Sequence, residues 1–160
     1  MDKTRLAVAN KIYGLHQSVQ KYVSPNNRSL IKMMGLNMPD NKDDSMKYLY
    51  DNIFNSDGQV SRPMLTLIHS WTSILSAAQR PYLPSEPAHA DSIEQYDKLY
   101  EEYEKRYEEA HNNFLSLPSI PKKVRKAYVL EKEINNFLDN LVEYDRNNHE
   151  ARAKLKASIA

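Results

Sequence analysis

Cysteine is absent from all 160 residues, which removes disulfides, thiolate metal sites and cysteine nucleophiles together. The same absence fits a reducing compartment, so a cytoplasmic location is expected. Glycine occurs only three times, whereas an all-β fold would normally use more of it in its turns. A long unbroken apolar stretch is missing too. Met1-Asp2-Lys3-Thr4-Arg5 leads into a mixed sequence, so neither a signal peptide nor a membrane span is expected. Without a secretion signal, the acceptor pattern Asn27-Arg28-Ser29 reads as chance. Charge of one sign is also lacking: a net +1 supplies no global field for nucleic acid or anionic lipid, so any such binding has to be local.

What is present is an ordinary globular composition. Apolar residues at 41% and charged residues at 27% argue against wholesale disorder. The length suits one domain or two small helical lobes with a real core. A first helix is expected from Asp2 or Thr4 to about Val23, with Leu6, Ala9, Ile12, Tyr13, His16 and Val19 on its buried stripe. Ser24-Pro25-Asn26-Asn27 stops it. A short helix over Ser29 to Met34 follows, closed by Gly35, and Met38 to Lys42 is loop. Asp43 or Asp44 caps a helix carrying Met46, Leu49, Tyr50, Ile53 and Phe54, and Asn55-Ser56-Asp57-Gly58 turns the chain. Ser61 as N-cap and Pro63 in the first turn open the most apolar helix, from Met64 to Ala78. A helix that apolar has to be wrapped by others.

Pro81, Pro84 and Pro87 recur every third residue, the repeat of a stiff polyproline linker. A docking site for an aromatic-grooved domain is the sharper alternative, but no flanking basic residue beyond Arg80 supports it. Beyond the linker, Ile93, Tyr96, Tyr100, Tyr103, Tyr107, Ala110, Phe114 and Leu117 alternate in steps of three and four. That period makes one long helix of about 38 Å with a narrow tyrosine-rich seam, capped by Asp91 or Ser92. After the break at Pro118 to Pro121, Ala127, Leu130, Ile134, Phe137, Leu141 and Tyr144 repeat the pattern. Two such seams across a short connector predict an antiparallel hairpin.

Two constellations carry chemistry. Each tyrosine hydroxyl in the seam needs a partner or water, so the rings either lie at a bundle edge or form an exposed stripe for a partner. Lys122, Lys123, Arg125 and Lys126 crowd the first turn of the second hairpin helix, against its dipole. In a hairpin they would pair with Glu104, Glu108 and Glu109; otherwise they would hold an external anion such as a phosphate backbone. Glu108-x-x-His111 has the spacing of a di-metal bundle, but half of that ligand set is missing. His69 beside Ser70 and Ser73 lacks an oxyanion loop and an orienting acid. A helix-turn-helix over Arg28 to Met34 and the helix after Asp44 has too long a connector.

The expectation is therefore an all-α protein. An N-terminal helical bundle covers 1–80, a Pro-rich linker 81–91, and a long antiparallel, coiled-coil-like helical hairpin 92–148. A basic tail, 149–160, can be helical but has little to bury. No motif points to a family, a cofactor, a metal or catalysis. The expected function is that of a non-catalytic adaptor or accessory protein gripping a larger protein machine through Tyr96, Tyr100, Tyr103 and Tyr107. A machine that handles nucleic acid, such as a replicative helicase with this chain as loader or regulator, is expected by analogy alone. The alternatives are a nucleic-acid binder using Lys122, Lys123, Arg125 and Lys126, and a structural homo-oligomer joined through the tyrosine seam. No membrane partner is expected.

Overall fold

A computed structural model describes residues 2–23, 39, 41–145 and 147–159, and these contain six α-helices and no named strand. Expectations for the segment 24–38, including the short helix at Ser29, the Gly35 closure and one half of the helix-turn-helix, lie outside the described residues. The first helix, α1, runs Lys3–Gln20, and the Asp2 carboxylate accepts from the N–H groups of Thr4 and Arg5. The second, α2, runs Lys42–Asn52 and is capped by Asn41 rather than by Asp43 or Asp44. Asn41 sits one step earlier in extended backbone, and the two aspartates occupy the first turn, where their charge favours the helix dipole. The turn at Asn55 to Gly58 forms as expected: the Asn55 side chain accepts from the N–H groups of Asp57 and Gln59, and Gly58 takes φ 83°.

The helix that begins after Ser61 is α3, Arg62–Gln79. Ser61 occupies the cap position but its hydroxyl donates to the Asn52 carbonyl at 2.8 Å, tying the end of α2 to the start of α3 instead of capping it. A 3-10 turn, Arg80–Tyr82, ends this unit. Beyond it lie α4, Ile93–Asn112, a second 3-10 turn, Phe114–Ser116, then α5, Lys122–Glu143, and α6, His149–Ile159.

The core forms where α5 lies along α3. Leu67, Ile68, Trp71 and Leu75 of α3 and Ile134, Phe137 and Leu141 of α5 are all buried. Val8, Ala9, Ile12 and Val19 of α1, with Leu49 and Ile53 around α2, close the other side of the same cluster. Each such side chain contributes about 1.5–3 kcal/mol through removal from water. Polar links reinforce the join. Buried Gln79 donates its amide to the Leu75 carbonyl and to the Glu131 carboxylate, and Lys11 of α1 pairs with Glu133 of α5.

The second seam is thus buried, against α3. The first is not: α4 has no buried residue, and its principal contact with another element is the Phe114–Ser116 turn that follows it. The antiparallel, coiled-coil-like hairpin is not confirmed, because the apolar face of α5 is already taken by a more apolar helix. The C-terminal segment also finds something to bury. Asn148 accepts from the Ala151 N–H to start α6, and Ala151 and Leu155 insert against α5 and α1.

His16 is half-buried beside Trp71, with ring centroids 5.8 Å apart. The Gln20 amide donates to its Nε2, and the buried Nδ1 has no partner, so burial lowers the pKa below its ordinary 6.5. The unfolded chain therefore binds the proton better than the folded one. Stability is expected to fall as pH drops below 6.5 toward the folded value, and His16→Gln is expected to flatten that part of the denaturation-midpoint profile. Phe137→Ala is expected to cost about 3–5 kcal/mol in urea denaturation, whereas Tyr96→Ala on α4, which loses one ring contact and no core packing, should cost about 0.5–1.5 kcal/mol. Equal costs would mean that α4 belongs to the core.

Candidate functional site

Helical spacing of three and four stacks side chains on one face, and α4 uses it for an aromatic ladder. Ring centroids are 5.9 Å apart from Tyr96 to Tyr100, 5.6 Å to Tyr103 and 5.8 Å to Tyr107. His111 continues it at 5.9 Å and then meets Tyr128 of α5 edge-on at 5.3 Å. Tyr128 stacks on Phe114 at 5.0 Å and donates its hydroxyl to the His111 carbonyl. These separations suit aromatic pairs, each contributing about 0.5–1.5 kcal/mol beyond area burial. The ladder therefore satisfies the seam spacing without a partner helix.

It stays largely open to solvent. Ile93 is 80% exposed and Tyr96 45%, while Tyr100, Tyr103 and Tyr107 are half-buried. Part of that cover comes from the proline segment. A cleft of about 490 Å³ runs between Arg80, Leu83, Pro84 and Glu86 on one side and Tyr103 and Tyr107 on the other. Partial desolvation, then the Glu86 carboxylate and the neighbouring Tyr107, Tyr100 and Glu104, push the Tyr103 phenol above its ordinary value. Asp97, Glu104 and Glu108 fall along one edge of the ladder by helical position, and all three are exposed.

The basic residues form a second feature. Lys122, Lys123, Arg125 and Lys126 line a groove of about 800 Å³ together with Lys21 and Tyr22 from the end of α1. Val129, Leu130 and the Tyr22 ring supply apolar surface, and Glu133 is the one carboxylate in the lining. Tyr22 donates its hydroxyl to the Lys123 carbonyl at 2.9 Å, and the Lys123 ammonium lies 5.5 Å from the Tyr22 ring centre. Burial raises the Tyr22 phenol. Pro121 caps α5 without a side-chain hydrogen bond, so the basic first turn keeps its open N–H end.

The expected internal pairing with Glu104, Glu108 and Glu109 does not form. Among the described residues the ion pairs of lysine or arginine are Lys11–Glu133 and Lys154–Glu143, because α4 does not run back along α5. The four basic residues are also not equivalent. Arg125 turns its guanidinium inward, donating to the carbonyls of Ile120 at 3.0 Å and Leu117 at 2.6 Å, and so fastens the connector. Lys122 and Lys126 are exposed and make no such bonds.

Sequence reasoning missed Lys21 and Tyr22. Tyr22 lies 101 residues from its partner Lys123, and no local pattern links either residue to the basic run. His69 is exposed while Ser70 donates to the Leu67 carbonyl, so they form no nucleophile–base contact. No group of three or more histidine, aspartate or glutamate side chains among the described residues is placed to hold a metal ion. No helix among them is long and apolar enough to cross a membrane. Comparison with known proteins finds no matching family, no matching curated protein and no matching solved structure.

Arg125→Ala is expected to destabilise the chain by about 1.5–3 kcal/mol, since two carbonyls lose a charged donor. Lys122→Ala should leave the urea midpoint within about 0.5 kcal/mol of the parent chain. A free, dispensable Arg125 would return it to the set of groove cations.

Proposed function

We propose that this chain is a non-catalytic docking module and that α4 is its docking element. One observation carries the reading: a 20-residue helix presents a continuous aromatic face yet buries no residue of its own. Most helical stability in proteins comes from packing an amphipathic face, so an exposed helix gains from a surface to lie on. Tyrosine is the side chain suited to such a surface, with a broad ring to bury and a hydroxyl that tolerates the rim. The C-terminal end of α4 is anchored through His111, Phe114 and Tyr128, which presents the tyrosines with little orientational freedom to lose. The narrower reading, in which the partner is a nucleic-acid-handling machine such as a replicative helicase, rests on analogy alone.

The test is quantitative affinity capture from the source cells with the parent chain, with Tyr100→Ala/Tyr103→Ala, and with Lys98→Ala as a control. A partner retained by the parent and the control, and lost about tenfold or more with the tyrosines, is the expected outcome, since a hot-spot pair contributes on that scale. Helical circular dichroism should be unchanged across the set. If no captured protein depends on the tyrosines, α4 is not the docking element.

A further inference from the structure

Two exposed surfaces of opposite charge lie on this chain without a partner. Seven acidic and three basic side chains give α4 a formal charge of −4. Four lysines, Lys21, Lys122, Lys123 and Lys126, give the groove beside α1 and α5 its positive charge, with Arg125 turned inward beside them, and the one carboxylate in the lining, Glu133, is already paired with Lys11. Building on α4 as the docking element, we propose that the groove receives α4 of a second copy of this chain.

The chemistry of the two surfaces agrees in kind as well as in sign. The groove has an apolar floor, with Val129 51% exposed beside Leu130 and the Tyr22 ring, and a rim of ammonium groups from Lys21, Lys122 and Lys126. α4 offers the counterpart: tyrosine rings for the floor, with Asp97, Glu104 and Glu108 beside them for the rim. A phosphate backbone would satisfy the ammonium groups and leave the apolar floor unused.

Geometry keeps the contact between copies. At about 100° per residue, Val124 and Tyr128 lie on the opposite side of α5 from Lys122, Lys126, Val129 and Glu133. Tyr128 is the residue that holds the root of α4, through its contacts with His111 and Phe114. The arm therefore leaves from the side of α5 away from the groove, and its own groove is out of reach. Two copies related by a twofold axis can exchange arms, each chain giving one helix and receiving one, which closes the assembly.

The test is sedimentation velocity on the full chain across a dilution series, at about 0.05 M and about 0.5 M salt, conditions between which the Debye length shrinks about threefold. The expected result is a dimer whose association weakens about tenfold or more at the higher salt. Two variants at exposed positions, Lys122→Glu/Lys126→Glu and Glu104→Lys/Glu108→Lys, are each expected to be monomeric with unchanged helical circular dichroism. Mixed one to one, they should form a complex, because one intact arm then faces one intact groove. The salt series reads the same contact on the unsubstituted chain should either variant fail to fold. A parent chain that is monomeric at every concentration overturns the proposal. So does a dimer that survives Lys122→Glu/Lys126→Glu and is lost with Tyr100→Ala/Tyr103→Ala, which would mean seam against seam. A monomer that binds a labelled single-stranded oligonucleotide through Lys122 and Lys126 assigns the groove to phosphate and overturns it as well. If the chain is monomeric while capture of another protein still depends on the tyrosines, self-docking fails and α4 remains the docking element.

Discussion

Where α5 lies along α3, Trp71, Leu75, Ile134 and Phe137 are cut off from water together, and the other described helices are placed by reference to that contact. α1 covers one flank, α6 packs on α5 and α1, and α2 hangs from α1 with Ser61 bonded across to its last turn. Because α3 is apolar around more than half of its surface, it has to be wrapped, and α5 is the longest described helix available to do it. Every other face of α5 then acquires a role by exclusion. One side holds the connector through Tyr128 and Arg125, and the remaining side lines the groove.

The competition for α5 leaves α4 outside. Its tyrosines pack on each other and face the proline segment across a cleft, an arrangement that keeps a helical face ordered without giving it a place in the core. The molecule consequently has two regimes of stabilisation. The bundle rests on apolar burial, which is largely indifferent to salt. The arm rests on aromatic stacking and on charges at its surface, which are screened and solvated. Segments of the second kind open locally at much lower free energy than the core.

Much of this was legible in the chain. Asp2, Asn55 to Gly58 and Ser92 mark helix ends and a turn through side-chain chemistry that acts over two to four residues, while Ser61 takes the cap position before Pro63 but spends its hydroxyl on Asn52. The stripe from Ala127 to Tyr144 marks a buried face, and all but half-buried Leu130 are buried. What periodicity does not carry is the identity of the partner. Tyr96 to Tyr107 and Ala127 to Leu141 have the same spacing, yet one set meets its own neighbours and the other meets α3. The deciding quantity is non-local: α3 offers more apolar surface than the tyrosine face does. Lys21 and Tyr22 show the same limit from the other direction, since the groove draws on the end of one helix and the start of another far along the chain. Arg125 looked like its neighbours because a charge run does not say which cation turns inward toward carbonyls.

A small second cluster has a wider bearing. Leu83, within the proline segment that leads to α4, packs with Phe114, Leu117, Ile120, Val124 and Tyr128, from the connector after α4 and the start of α5. Entry to and exit from the arm are thereby cinched at one point, and everything between is an excursion from a closed neck. Closing such an excursion costs little more when it is longer, about 0.6 kcal/mol for each doubling of its length. The arm is thus the part of this chain whose length and surface are free to change by insertion, deletion or exchange while the neck and the bundle are inherited intact. One helix of this fold can be rewritten without disturbing the contacts that hold the other described helices in place.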